Sequence, residues 1–495
     1  MIGWVDGERS SPRKGGSRLI RNVGFRRFCK QFPIENLRLP TEDANLDKPH
    51  HHTFKSSFPM IITRNRRQKY MKFHKKTSGA TCATLSTSLV LALGALLSGG
   101  GASAAEDYWP GWLGPKRDGR VSDFQPPKKW PAKLTKVWRV KVGAGYGSPL
   151  VVKGRVWQHA REGEDEVIHC LDLATGKAQW SRRYPTPFKM GGGADRHGKG
   201  PKSSPVYADG RVFVMSITGT LSAWDAASGK ALWKSSLGKR FKVPHPYWGS
   251  SNSPIVDGNL VIAHFGNDEK GVLAALDVET GKELWTQGND GTCYSSPLLA
   301  DHYGIRQVIE WNHRAIVGVE SKTGRLLWEY PFPHKTHNQN MPTPTFHDGQ
   351  ILVGGENRGI HGLSPKLKDG KWTVTKNWSQ MEVALDMSSA IVADGLLFGM
   401  SHYKSGQLFC LDPKDGGILW SGPPRVGNNV AFLSVPGYVL ALINTGEVRI
   451  IKATGQRYEQ VASYRVADGG TWAPPVLLQR GILVKDREHL ALWAF

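Results

Sequence analysis

The stretch ALDVETGKELW, Ala275–Trp285, decides how this chain is read. Asp277, Gly281 and Trp285 stand in the spacing Asp-x-x-x-Gly-x-x-x-Trp. The same spacing recurs as Asp172-Gly176-Trp180, Asp225-Gly229-Trp233 and Asp412-Gly416-Trp420, with a near copy at Glu320-Gly324-Trp328. A decayed copy keeps Thr454-Gly455 and puts Tyr458 near the aromatic slot, while Trp138 and Trp378 occupy that slot without the preceding turn. Neighbouring aromatic positions lie 38 to 53 residues apart. A period of about 45 residues is that of a four-stranded propeller blade and too long for a leucine-rich or tetratricopeptide repeat. The chemistry of the motif is structural. Gly takes the left-handed position of a tight turn, the Asp carboxylate accepts turn N–H groups, and the Trp offers an apolar face for packing between sheets.

Working outward, each unit opens on a hairpin, usually Ser-Pro, an apolar run, Asp-Gly and a second apolar run. Examples are Ser204-Pro205 with Asp209-Gly210, Ser253-Pro254 with Asp257-Gly258, Pro344 with Asp348-Gly349, and Ser389 with Asp394-Gly395. Looser versions start at Ser148, Ser296, Ala431 and Pro474. Asp-Gly between β-rich runs is a strong hairpin signal. The last unit has only three strand-like runs, and the segment around Val137–Val142 is an orphan with Trp138 in the outer-strand slot. Pairing the two completes an eighth blade and leaves no open sheet edge. The expected fold is all-β: an eight-bladed β-propeller of four-stranded antiparallel blades over 135–495, preceded by an extended lead-in over 105–134.

The chain has 495 residues with 57 Gly, 18 Trp and a formal charge of +23. Its aromatic content, 10%, excludes a disordered chain, and five cysteines exclude a disulfide scaffold. The charge is uneven: residues 1–70 carry +9 and residues 71–104 a further +3, leaving +11 for the rest. Residues 1–70 are expected to be a disordered basic extension, read either as a tail or as sequence upstream of a true start at Met71. Residues 71–104 read as a secretory signal. Lys72, Lys75 and Lys76 precede an apolar run from Leu85 to Leu97, and Ala102-Ser103-Ala104 is an A-x-A cleavage site. The run is shorter than the ~20 residues a membrane span needs. The expected location is periplasmic or secreted, with no transmembrane segment and a monomeric state. Export and the dispersal of Lys and Arg around the ring argue against nucleic acid.

ALDVETGKELW and AWDAASGKALW (Ala223–Trp233) resemble the Trp-docking repeat of pyrroloquinoline-quinone (PQQ) propellers, over essentially all of Trp138–Phe495. YWPGWLGPKRDGRVS (Tyr108–Ser122) is similar to the start of exported bacterial PQQ-like proteins. The resemblance implies one of two functions: a non-catalytic binding or scaffold module of the cell envelope, like the assembly-factor propeller of outer-membrane barrels, or a periplasmic PQQ-dependent alcohol or sugar dehydrogenase. The dehydrogenases carry adjacent cysteines and a calcium site of Glu, Asn and Asp. Here Cys170, Cys293 and Cys410 are not adjacent, so the reading favours the scaffold with no cofactor, and PQQ with calcium only under the dehydrogenase alternative. Envelope proteins or polysaccharide are the expected partners.

A propeller site lies over the central channel, in the loops that enter each innermost strand. Here those loops supply Tyr146, Lys202, Trp248, Asn252, Tyr294, Asn338, Asn340, Asp386, Asn428, Asn429 and Trp472 as candidate ligand contacts. Trp138, Trp180, Trp233, Trp285, Trp328, Trp378 and Trp420 are assigned to docking. Gly191–Lys202 lacks the order of a phosphate loop and reads as a channel-mouth loop carrying Asp195, Arg196 and His197. His334-x-x-His337 has metal-ligand spacing without a visible third ligand. No metal site and no catalytic set are assigned.

Overall fold

Eight hairpin units become eight antiparallel sheets in the computed structural model, which describes residues 107–191, 197–335 and 339–495. The basic extension 1–70 and the signal segment 71–104 lie outside the described residues. Ring closure follows the sequence reading. Thr135–Lys141 pairs antiparallel with His489–Ala494, which continues into Gly481–Lys485 and Val476–Leu478. We number this shared sheet blade 8, and the sheet from Leu150–Val152 to Ala178–Pro185 blade 1.

The docking motif explains how neighbouring blades hold together. Five docking Trp rings lie on the turn glycine of the next blade: Trp138 on Gly176, Trp180 on Gly229, Trp233 on Gly281, Trp285 on Gly324 and Trp378 on Gly416. A Cβ added at Gly281 would come within 2.6 Å of the Trp233 ring, and at Gly324 within 2.7 Å of Trp285. The turn glycines have φ of +68° at Gly281 and +75° at Gly324, so both the backbone and the ring above it select glycine. The turn is pinned by its acid: Asp277 Oδ1 accepts from Thr280 N (2.9 Å) and Thr280 Oγ1 (2.7 Å). These hydrogen bonds hold the carboxyl below its ordinary range. The indole N–H then donates into the same turn, as in Trp233 Nε1 to Val278 O (3.0 Å) and Trp285 Nε1 to Ser321 O (3.0 Å). Trp138, Trp378 and Trp420 do the same to Leu173, Pro413 and Thr454. Trp328 instead donates to Gln307 Oε1 of its own blade.

In six sheets a small residue stands opposite the Trp, whereas in blade 8 Trp138 faces Leu492. The pairs are Cys170 with Trp180, Ala223 with Trp233, Ala275 with Trp285, Gly318 with Trp328, Gly362 with Trp378 and Cys410 with Trp420. Cys170 and Cys410 are therefore small core residues, fully buried, and burial pushes the Cys170 thiol up to about 11.

Blade 7 departs from the expected plan. The pairing register puts Ala462, not Tyr458, in the docking slot, opposite Ile450. The turn there is longer, and Tyr458 packs edge-on against Trp420 at 5.5 Å. The volume is filled from elsewhere: Trp130 packs on Tyr438 (5.5 Å) and Phe495 (5.6 Å), and Tyr464 donates to Pro131 O. Trp130 and Phe124 belong to the lead-in, which is folded rather than extended. Tyr108–Trp109 adds a fifth strand to blade 1 by pairing with Leu150–Val152. The chain then turns repeatedly through Leu113 and Arg117, both at positive φ, and bridges to blade 7 at Arg120 and Ser434. Extended backbone would leave these N–H groups without the inner-strand carbonyls they find here.

Candidate functional site

The Ser-Pro positions that open each hairpin form a belt around the channel. Ser148 N donates to Ser204 Oγ, Ser204 N to Ser253 Oγ, Ser253 N to Ser296 Oγ, Ser296 N to Thr343 Oγ1 and Thr343 N to Ser389 Oγ, all at 2.9–3.0 Å. Each backbone donor at the narrowest radius is thus satisfied by a hydroxyl of the next blade, which explains why the repeat needs Ser or Thr there. In blades 7 and 8 Ala431 and Ala473 stand in the corresponding stretch, and blade 6 reaches blade 7 through Ser388 Oγ, which accepts from Val430 N and donates to Asn429 Oδ1.

Above this belt lies a cavity of about 280 Å³. Six of the candidate residues line it: Tyr146, Lys202, Trp248, Tyr294, Asn429 and Trp472. Tyr146 and Trp472 meet at 6.0 Å, and His197 stands edge-on to Trp248 (5.2 Å) and Trp472 (5.9 Å). Lys202 Nζ donates to Trp248 O at 2.9 Å, and burial pulls its ammonium down to about 8. Burial likewise pushes the Tyr146 and Tyr294 hydroxyls up, so both are neutral donors.

The floor was not foreseen. Trp112, Leu113 and Asp118 of the lead-in close the cavity from below. Arg117 anchors this plug by donating to Pro254 O (2.8 Å) and Ser253 O (3.0 Å), with its guanidinium over Trp112 at 5.3 Å. Val121 N donates to Ser434 O and Ser434 N to Gly119 O on the far side. The plug is thus fixed to blades 3 and 7 across the channel. A second, wider cavity of about 930 Å³ lies on its other face, lined by Lys116, Arg117, Asp209, Asp301 and Arg306 among others.

Four candidates do not line the cavity, and two of them, Asn252 and Asn340, do structural work. Asn252 is buried and clasps a strand of blade 3, donating to His264 O and accepting from His264 N. Asn340 is fully buried between Asn312 O and the Arg358 guanidinium. Asn428 is exposed, and its N–H donates to Asn444 Oδ1. Asp386 is half-buried, and burial and then Glu356 push its carboxyl up to about 6. Asn338, Asp195, Arg196 and His337 lie outside the described residues. His334 stacks on His313 at 4.2 Å, and among the described residues no three His, Cys, Asp or Glu side chains are grouped to hold a metal ion.

The wall beneath Asn252 holds a buried ion pair. His264 Nδ1 contacts Glu310 Oε1, and Nε2 donates to Asp290 O at 3.1 Å. With Glu310 ionised both partners are acceptors, and the imidazolium form satisfies them with a donor on each ring nitrogen. Burial alone would lower its pKa, but Glu310 raises it above the ordinary value. A raised folded-state pKa gives stability that is complete below the unfolded value of about 6.5 and is lost as pH rises through the folded one. Glu310→Gln is therefore expected to cost about 2 kcal/mol at pH 5.5, with a smaller loss at pH 9. Urea unfolding of both proteins at the two pH values checks this; a gap independent of pH would show that the pair is neutral.

Comparison with known proteins places this geometry. Residues 164–422 match the family described as "Outer membrane protein assembly factor BamB". The chain is 21% identical over 264 residues to BamB of Yersinia pestis, covering 51% of this chain and 63% of that protein. It is 28% identical over 169 residues to BamB of Escherichia coli K12, covering 33% and 36%. It is also 27% identical over 347 residues to the dehydrogenase subunit of the quinone alcohol dehydrogenase of Gluconacetobacter polyoxogenes, covering 56% and 42%. The chain thus spans 36 to 63% of the length of these relatives. Among solved structures, BamB from Moraxella catarrhalis superposes with a TM-score of 0.53 at 15% identity, over 74% of this chain and 98% of that one. Quinohemoprotein alcohol dehydrogenase from Comamonas testosteroni gives 0.56 at 15% identity, over 78% and 80%. Both likenesses are of fold.

Proposed function

The chain belongs to the PQQ-like propeller family described as outer membrane protein assembly factor BamB, and from that premise we propose that it is a non-catalytic binding module of the cell envelope. The observation that carries this reading is the plug. The chain's own residues 111–121 cross the channel and are tied to blades 3 and 7. The lumen is left as a shallow cup rather than a through-channel, and a cup suits binding. The amides of Asn252 and Asn340 are spent on the backbone carbonyls of His264 and Asn312. Under this reading the protein works on the periplasmic side, and its partners are envelope proteins or polysaccharide; the names of the assembly-factor relatives favour proteins.

A second reading, a quinone-dependent alcohol or sugar oxidoreductase, is favoured by the similarity to quinone alcohol dehydrogenase subunits. The residues present do not fit that cofactor. PQQ is a planar quinone bearing several carboxylates, and the cup offers one ammonium, Lys202, together with a carboxylate, Asp118. Calcium takes six to eight oxygen ligands, usually with several carboxylates among them, and among the described residues Asp118 is the only acidic side chain in the lining.

One experiment separates the two. Purified protein is incubated with PQQ and Ca²⁺, desalted, and assayed for retained absorbance and for dye-linked oxidation of alcohols and sugars. The expected result is neither retention nor turnover. Stoichiometric retention with turnover would overturn the binding-module reading.

A further inference from the structure

The cup above the plug has a chemistry of its own. Ser204, Ser253, Ser296, Thr343 and Ser389 all line it, and each hydroxyl already accepts a backbone N–H from the preceding blade. An oxygen used as acceptor keeps its own proton to donate, so the belt presents O–H donors to the lumen. Lys202 adds three N–H donors, of which one is used, on Trp248 O. Its ammonium forms no ion pair among the described residues; Asp118, the acidic group of the lining, accepts from Arg120 N instead. The other titratable groups facing the cup are His197, Tyr146 and Tyr294. Around these donors stand the rings of Tyr146, Trp248, Tyr294 and Trp472. A buried cation without a counter-charge is costly, and a ligand carboxylate removes that cost while accepting the spare donors.

Size narrows the choice. Pockets for drug-sized ligands run from about 300 to 1,000 Å³, and a cavity of about 150 Å³ accepts benzene. At about 280 Å³ the cup takes one substituted ring, free or at the end of a longer chain. We propose that the cup binds a single carboxylate carried on one six-membered ring, with the carboxylate on Lys202 and the ring between the aromatic walls. This rests on the binding-module reading. The shared chemistry has two sources, a uronic acid residue or a small aromatic acid, and the test tells them apart.

Binding is measured by isothermal titration and by quenching of tryptophan fluorescence, with galacturonate, 4-hydroxybenzoate and, as the uncharged control, galactose. The native protein is expected to bind at least one of the two acids at least tenfold more tightly than galactose. Lys202→Met should lose at least tenfold for that acid without changing the weak binding of galactose, and Lys202→Arg should retain binding within a few-fold. Circular dichroism and melting temperatures of both variants establish that they fold. Because anion binding needs the ammonium, and burial holds its pKa near 8, affinity should fall about tenfold per pH unit above that value. Failure of both acids to bind, or equal binding by native protein and Lys202→Met, overturns the proposal and leaves the binding-module reading intact. Tight binding followed by oxidation of the bound acid would do the reverse.

Discussion

Trp285→Ala is expected to lower the unfolding free energy by about 3–5 kcal/mol, and Trp180→Ala by about 1 kcal/mol less. Both rings dock on a turn glycine of the next blade: a Cβ would come within 2.7 Å of either ring, at Gly324 and Gly229 respectively. Both are about equally buried, so the cavity left behind is similar. They differ at the indole N–H. Trp285 donates to Ser321 O, the carbonyl just after the turn acid Glu320. The matching acceptor for Trp180 is Ala226 O, but Trp157 Nε1 takes it at 3.2 Å. Trp180 Nε1 is consequently buried without a partner, and truncation removes an unsatisfied donor along with the ring. Urea unfolding of the two variants reads the difference directly. Equal losses would show that water satisfies Trp180 Nε1 and that the two interfaces are equivalent. The further change Trp157→Phe should stabilise the Trp180 contact by freeing Ala226 O, which a double-mutant cycle would detect as coupling.

These residues also show what the sequence could and could not convey. The turn acid, the glycine and the Trp lie within nine positions of one another, so their spacing is visible without knowing the fold, and it recurs often enough to count blades. Tyr458 was misplaced because the turn after Thr454 is longer than its counterparts, and the slot moves on to Ala462. The cup was legible where a ring projects from a loop, as with Trp248 and Trp472. It was illegible for amides: Asn252 and Asn429 are both buried beside inner strands, and only the folded ring reveals that Asn252 turns to His264 while Asn429 faces the lumen. The plug was hidden most deeply. Trp112 and Arg117 precede the first blade in sequence, and Arg117 is 136 residues from the Ser253 carbonyl it meets. No periodicity marks such a contact.

Lys485→Met is expected to destabilise the ring by about 3–5 kcal/mol, chiefly through the carbonyls it would orphan. Lys485 ends the middle strand of the closing blade and is fully buried. Its Nζ lies 2.7 Å from Asp486 O, 3.1 Å from Gly143 O and Arg487 O, and 3.2 Å from Gly145 O. Three N–H donors thus serve four carbonyls from two segments: the hairpin of blade 8 and the loop by which the chain leaves blade 8 for blade 1. That loop has no freedom to find other donors. Gly143 and Gly145 have φ of +89° and +148°, and a Cβ at either would approach Arg161 O within 2.5 Å or Pro201 O within 3.0 Å. Burying the ammonium is itself unfavourable, since burial pulls its pKa down to about 8. Methionine removes that cost while keeping the apolar stem, so any net loss measures the carbonyls. The loop carries Tyr146 into the cup, so the same substitution should also change tryptophan fluorescence near Trp472, which packs on Tyr146 at 6.0 Å. Limited proteolysis distinguishes local from global loss: cleavage confined to the 143–146 loop places the damage at the closure, whereas uniform digestion means the whole ring opens. A loss below about 1 kcal/mol would show that water replaces the ammonium and that strand pairing alone closes the propeller.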